Sequence, residues 1–192
     1  MKKREFLGAF TGSAALLPAA AVARARTAAA AGPVLLTVTG EMAHPNRGPL
    51  DPLRDQMMAK QQLAFDKARA FSFADLLRLP QSAIRPTLEY DGQRHRLAGP
   101  RLASVLAACG TAGGQLTLRA VDGYAPTIAR QEALRLGFIV ATHLDGRPMA
   151  LGGLGPLWMV YEADAVPEMA AKPVDQRFAA CPWGLYHIEV RA

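Results

Sequence analysis

Two of the three Asp-Gly dipeptides, at 91–92 and 145–146, each stand between short runs in which apolar and polar residues alternate. No other feature restricts this chain as strongly. Asp-Gly suits a two-residue turn whose central residues both need positive φ, and such a turn commits its flanks to antiparallel pairing. The pattern predicts one hairpin with arms at 84–90 and 93–97 and a second with arms at 138–144 and 147–151. Runs at 34–39, 116–121, 157–161 and 185–191 are also rich in β-branched or aromatic residues and read as strands.

Three short helices fit between them. Ser72 with Asp75 three residues on forms a capping box, Phe73, Leu76 and Leu77 share a face, and Leu79-Pro80 stops the helix. Pro100 is expected to open the second, whose Leu102, Val105, Leu106 and Cys109 recur at helical spacing before Gly110. The third covers 130–136 and closes at Gly137. Residues 43–70 are irregular: a turn-rich start, then a polar helix over 53–68, together read as an insertion or lid. Residues 162–182 read as a Pro- and Ala-rich loop. The sum is a β-rich α+β fold in a single domain over 32–192.

Composition narrows the function classes. With 51% hydrophobic and 20% charged residues the chain buries a core and is not disordered. Past residue 31 no stretch of roughly 18 uncharged apolar residues occurs, so a polytopic membrane protein is excluded. Residues 1–31 read as an export signal: Lys2, Lys3 and Arg4 precede an apolar run over 6–22, and Ala21, Ala23 and Ala25 offer small-x-small cleavage sites. The run Lys3-Arg4-Glu5-Phe6-Leu7 resembles a twin-arginine signal with Lys in the first twin position, and an ordinary secretory signal stays open. The expected location is periplasmic or otherwise exported, with no stable membrane span after cleavage. Part of the net +6 belongs to that segment. The remaining basic residues are scattered and not interleaved with aromatics, so no nucleic-acid partner is expected.

The four histidines, His44, His95, His143 and His187, are isolated, and no Cys-x-x-Cys occurs, so no metal ligand is assigned. Strand parity sends His95 and His143 inward and His187 to an exposed or pocket-facing side. Cys109 and Cys181 are open to two readings, a disulfide of an exported protein or two separate thiols. Asp122-Gly123-Tyr124 places a carboxylate and a phenol at a strand end, where binding groups often project.

Taken in order, 36–40, Phe73-Ala74-Asp75-Leu76-Leu77, the run 97–106 through Gly99-Pro100, Asp122-Gly123-Tyr124, the run 145–149, Gly155-Pro156-Leu157-Trp158 and Trp183 with Ile188-Glu189-Val190 resemble the oxidoreductase molybdopterin-binding domain. That is the catalytic fold of sulfite oxidases and of periplasmic methionine-sulfoxide reductase catalytic subunits. The resemblance spans about 34–190. It implies mixed sheets with short helices and, in active members, molybdenum held by a pterin dithiolene and by a Cys. The corresponding segment here, 87–92, has no Cys, and a soft thiolate is not replaced directly by Leu or Glu. The resemblance implies a pocket near Tyr90, His95, Asp122, Tyr124 and Trp183, the candidate cofactor-binding residues. Two functions follow as expectations. One is an exported molybdopterin-dependent oxidoreductase working with a redox partner. The other is a non-catalytic domain that reuses the fold to bind a small-molecule ligand or a partner. A disulfide-stabilised structural domain of the envelope is a third.

Overall fold

Residues 32–192 are described by a computed structural model. The order is β1 (Val34–Gly40), α1 (Gln56–Lys60), β2 (Ala68–Ser72), α2 (Phe73–Arg78), β3 (Gln81–Ile84), β4 (Leu97–Pro100), α3 (Leu102–Cys109), β5 (Gln115–Ala120), β6 (Thr127–Ala129), α4 (Arg130–Arg135), β7 (Ile139–Ala141), β8 (His143–Leu144), β9 (Arg147–Pro148), β10 (Trp158–Val160), α5 (Pro167–Ala170) and β11 (Leu185–Arg191). The largest sheet runs β2-β1-β11-β5-β6, with β1 parallel to β11 and its other pairings antiparallel. A second sheet runs β3-β4-β8-β9, and β7 pairs with β10. The β-rich α+β fold expected from the sequence is the one observed.

Parity builds the core. Leu36 and Val38 of β1, Leu116 and Leu118 of β5 and Ile188 and Val190 of β11 are buried on one face, with Leu102, Val105 and Leu106 of α3 in the same cluster. Strand residues at i and i+2 share a face, so Thr37, Thr39 and His187 fall on the other side. They too are buried, because 43–67 covers that face. Phe138 stacks on Tyr161 at 4.8 Å, and Gly99 of β4 lies so close to β7 that a Cβ there would meet the Val140 carbonyl at 2.0 Å.

Several local expectations need correction. The helix over 53–68 shrinks to α1: Gln62 takes φ 60°, which ends helical geometry, and Ala68 already belongs to β2. Residues 68–70 are therefore strand, not insertion. The first hairpin pairs β3 with β4, mostly beyond the predicted arms; within them it keeps the Ile84–Leu97 pair, a Thr87–Arg94 bridge and backbone hydrogen bonds from Leu88 to Gln93 and from His95 to Pro86. Its turn is wider because Asp91, unlike Gly92, does not take positive φ. At the second, Asp145 (φ 48°) and Gly146 (φ 80°) both do, and β8 and β9 form the tight hairpin. The arm at 138–144 breaks at Thr142, whose N–H donates to the Ala98 carbonyl at 2.8 Å, so β7 joins β10 and β8 joins β4. Pro100 ends β4, and α3 starts after Arg101. The capping box at Ser72 and Asp75 forms as expected. The loop at 162–182 folds into 3₁₀ turns at Ala163–Ala165 and Val174–Gln176 around α5. Arg177 ties it together, donating to the Lys172 and Ala170 carbonyls and to Asp164.

Candidate functional site

A surface cleft of about 170 Å³ forms where three segments distant in sequence meet. The β3–β4 loop contributes Glu89 and Tyr90. The end of β5 and its following turn contribute Asp122 and Tyr124. The strap before β11 contributes Phe178, Cys181, Pro182 and Trp183. Phe178, Cys181 and Pro182 are buried and make the floor, while Tyr90, Tyr124 and Trp183 are about half exposed and make the rim.

Local chemistry fixes each wall. After β5 the Asp122 carboxylate accepts from the Tyr124 N–H at 2.9 Å, an Asx turn with Gly123 at φ 94°. The Tyr124 hydroxyl donates to the Ala179 carbonyl and holds the strap. Beneath, the Trp158 indole N–H donates to the Cys181 carbonyl at 2.9 Å, and Trp158 lies 6.4 Å from Tyr90 and 6.2 Å from Phe178. The loop carrying Tyr90 is anchored where the Thr87 N–H and hydroxyl donate to Asp164 at 2.7 and 2.8 Å.

Electrostatics follow from this packing. Partial burial, then the Glu89 carboxylate, push the Tyr90 phenol up to about 12, so it stays protonated. Burial pushes the Cys181 thiol well above its ordinary range, with Glu89 acting in the same direction. A buried, protonated thiol is a poor nucleophile and a poor metal ligand.

Of the residues singled out in the sequence, Tyr90, Asp122, Tyr124 and Trp183 line this one cleft. His95 does not. It precedes β4, so strand parity never governed it. It lies near the surface, where its ring bridges Asp145 at 2.7 Å and Asp91 at 2.8 Å and joins the two turns. His143 is half-buried against Phe73 at 5.6 Å. His187 is fully buried. Cys109 and Cys181 are separate, free and buried, which removes the disulfide. Among the described residues no group of three or more His, Cys, Asp or Glu side chains is arranged to hold a metal ion, and no helix is long and apolar enough to cross a membrane. Sequence reasoning missed Glu89, Phe178, Cys181 and Pro182, which come together only through tertiary structure. The export signal expected over 1–31 lies outside the described residues.

No protein-family model and no curated protein matches the chain. Among solved structures it is similar to the sulfane dehydrogenase SoxCD from Paracoccus pantotrophus, with a TM-score of 0.54 and 13% identity. The match covers 81% of this chain and 37% of that one, so this chain spans little more than a third of the neighbour's length. At that identity the likeness is one of fold.

The donor set of the cleft does not suit a pterin dithiolene bearing a phosphate. Its walls carry the carboxylates Glu89 and Asp122, and no Lys, Arg or His is among its lining residues. An anionic group would meet like charge there with no counter-cation. On the segment where the resemblance expects a thiolate, the side chains facing the cleft are a carboxylate and a protonated phenol.

Proposed function

We propose that this chain is an exported ligand-binding domain that reuses a sulfite-oxidase-like scaffold, and that its cleft takes a small organic cation, an amine or quaternary ammonium. The observation that carries this reading is the composition of the cleft: the rings of Tyr90, Tyr124, Phe178 and Trp183 beside the carboxylates of Glu89 and Asp122, with no basic side chain. Aromatic faces attract cations through the ring quadrupole, by about 0.5–2 kcal/mol each, and a carboxylate adds direct charge pairing. Tryptophan fluorescence during titration with choline or tetramethylammonium tests it, with sodium acetate as the anionic control. The expected result is a saturable change that Asp122→Asn weakens about tenfold. No saturation, or an equal response to acetate, refutes it. N-terminal sequencing of the exported protein tests the signal, with cleavage expected after Ala23 or Ala25.

A molybdopterin-dependent oxidoreductase is the second reading. Its support is the fold shared with the sulfane dehydrogenase and the presence of one thiol, Cys181, in the cleft floor. Stoichiometric molybdenum in protein purified from its own host would reverse the order of the two readings.

A further inference from the structure

A second cavity, of about 230 Å³, lies against the outer face of the five-stranded sheet, away from the aromatic cleft. Thr39, Arg119, His187, Glu189 and Arg191 wall it from three adjacent strands, and residues 62–65 close it. Strand register assembles this wall. Thr39 pairs with Glu189 across the parallel β1–β11 ladder, and His187 pairs with Arg119 across the antiparallel β11–β5 ladder. Directly opposed residues on one face of a sheet are neighbours, so an imidazole and a guanidinium are set side by side beneath the 62–65 segment.

The polar groups of this wall are unevenly matched. The Glu189 carboxylate is taken up by Arg191, which donates to both its oxygens at 2.8 Å. Arg119 forms no ion pair among the described residues. Its Nε is buried without an acceptor, and this group can only donate. His187 is fully buried. Its Nε2 lies 2.9 Å from the Thr39 hydroxyl, while its Nδ1 has no partner. When the Thr39 hydroxyl donates to Nε2, the ring proton sits on Nδ1 and that nitrogen is a second donor. Burial, reinforced by the Arg119 guanidinium, pulls the His187 pKa down to about 4, so at neutral pH the uncompensated charge in this wall is that of Arg119.

Buried donors are almost always satisfied in folded proteins, and an unmatched one is costly. An anion with two oxygens selects the tautomer that carries the proton on Nδ1, supplies what both donors then lack and neutralises the guanidinium. The space equals several times the roughly 30 Å³ share of one water, enough for such an anion with one or two waters. We infer that the pocket between the β1–β11–β5 face and residues 62–65 is a binding site for a small oxyanion, of the size of acetate or phosphate, held between Arg119 and His187. This site is independent of the aromatic cleft and of any ligand bound there.

The test follows the ring nitrogens of His187 by ¹H–¹⁵N NMR on the folded protein at neutral pH. Sodium acetate and sodium phosphate are titrated separately, with sodium chloride holding ionic strength constant. A saturable shift of His187 Nδ1 is expected with at least one oxyanion and not with chloride. Arg119→Gln is expected to weaken it about tenfold or more, the loss of one charged hydrogen-bond donor. Arg119→Lys, which keeps the charge without the fork, is expected to fall between and gives the comparison should the glutamine variant not fold. A linear response, a response matched by chloride, or an affinity unchanged in both variants overturns the site.

Discussion

Protonating His187 requires placing a charge on a ring that the fold buries completely. The ring lies among Thr39, Arg119, Glu189 and residues 62–65, with no exposed surface. Burial is the main cause of its low pKa, the Arg119 guanidinium adds to it, and Glu189, already held by Arg191, opposes it only in part. The folded pKa is about 4 against an ordinary value of 6.5. For a base whose folded pKa is depressed, the unfolded chain binds the proton more tightly, so stability is intact above pH 6.5 and drains away as the pH falls toward 4. At 1.36 kcal/mol per unit, about 2 kcal/mol is lost between pH 7 and pH 5, and about 3 kcal/mol in all. Urea unfolding across that range, in chloride buffers, measures the loss. Carboxylates contribute their own slope, so the decisive quantity is the difference between the wild-type protein and His187→Gln, which keeps a polar group toward Thr39 and cannot titrate. The wild type should lose about 2 kcal/mol more than the variant between pH 7 and pH 5. Equal losses would mean that the surroundings of the ring do not oppose its charge, and the argument for an unmatched His187 would fall with it.

Three further outcomes are expected. His95, held by Asp145 and Asp91, has a raised pKa; its contribution is complete below pH 6.5 and fades as the pH climbs through the folded value, which an NMR titration of its ring against that of an Asp91→Asn, Asp145→Asn double variant will show as a downward shift in the variant. Gly99→Ala forces a Cβ against the Val140 carbonyl and should cost on the order of 3 kcal/mol in chemical denaturation, whereas the same change at Gly48, where a Cβ meets nothing within 4 Å, should be nearly silent. Cys109, whose thiol burial pushes up to about 12, and Cys181 are both free and buried; a thiol reagent should count neither in the native protein and both in denaturant.

The sequence was most legible where one signal acts locally. Period-two runs located β1, β5 and β11 to within a residue, and the Ser72–Asp75 capping box located the start of α2. It was least legible where a distant neighbour decides. Two identical Asp-Gly pairs made different turns, because the 91–92 loop is bound to Asp164 through Thr87 and to Asp145 through His95. The strand at 138–144 split because Ala98 captures Thr142. His187 has the parity expected of a pocket-facing residue, but nothing in its own strand announced that 62–65 would cover it. The cleft shows the same division: Tyr90, Asp122, Tyr124 and Trp183 carry side-chain types that stand out in a turn or loop, whereas Phe178 and Cys181 have ordinary core chemistry and enter the cleft only through the path of the strap.

In the largest sheet, β11 fills the slot between β1 and β5 and hydrogen-bonds to both. During synthesis β1 and β5 exist long before their shared neighbour, so a growing chain must hold two unpaired strand edges until the seven residues of β11 leave the ribosome. Joining His187 to Thr39 closes a loop across 148 positions, the kind of remote pairing that makes a topology slow to assemble. Strand β11 is thus a keystone: a stop codon or fusion junction placed within 185–191 would deprive two strands of their partner at once and leave a chain prone to aggregate rather than one merely shortened.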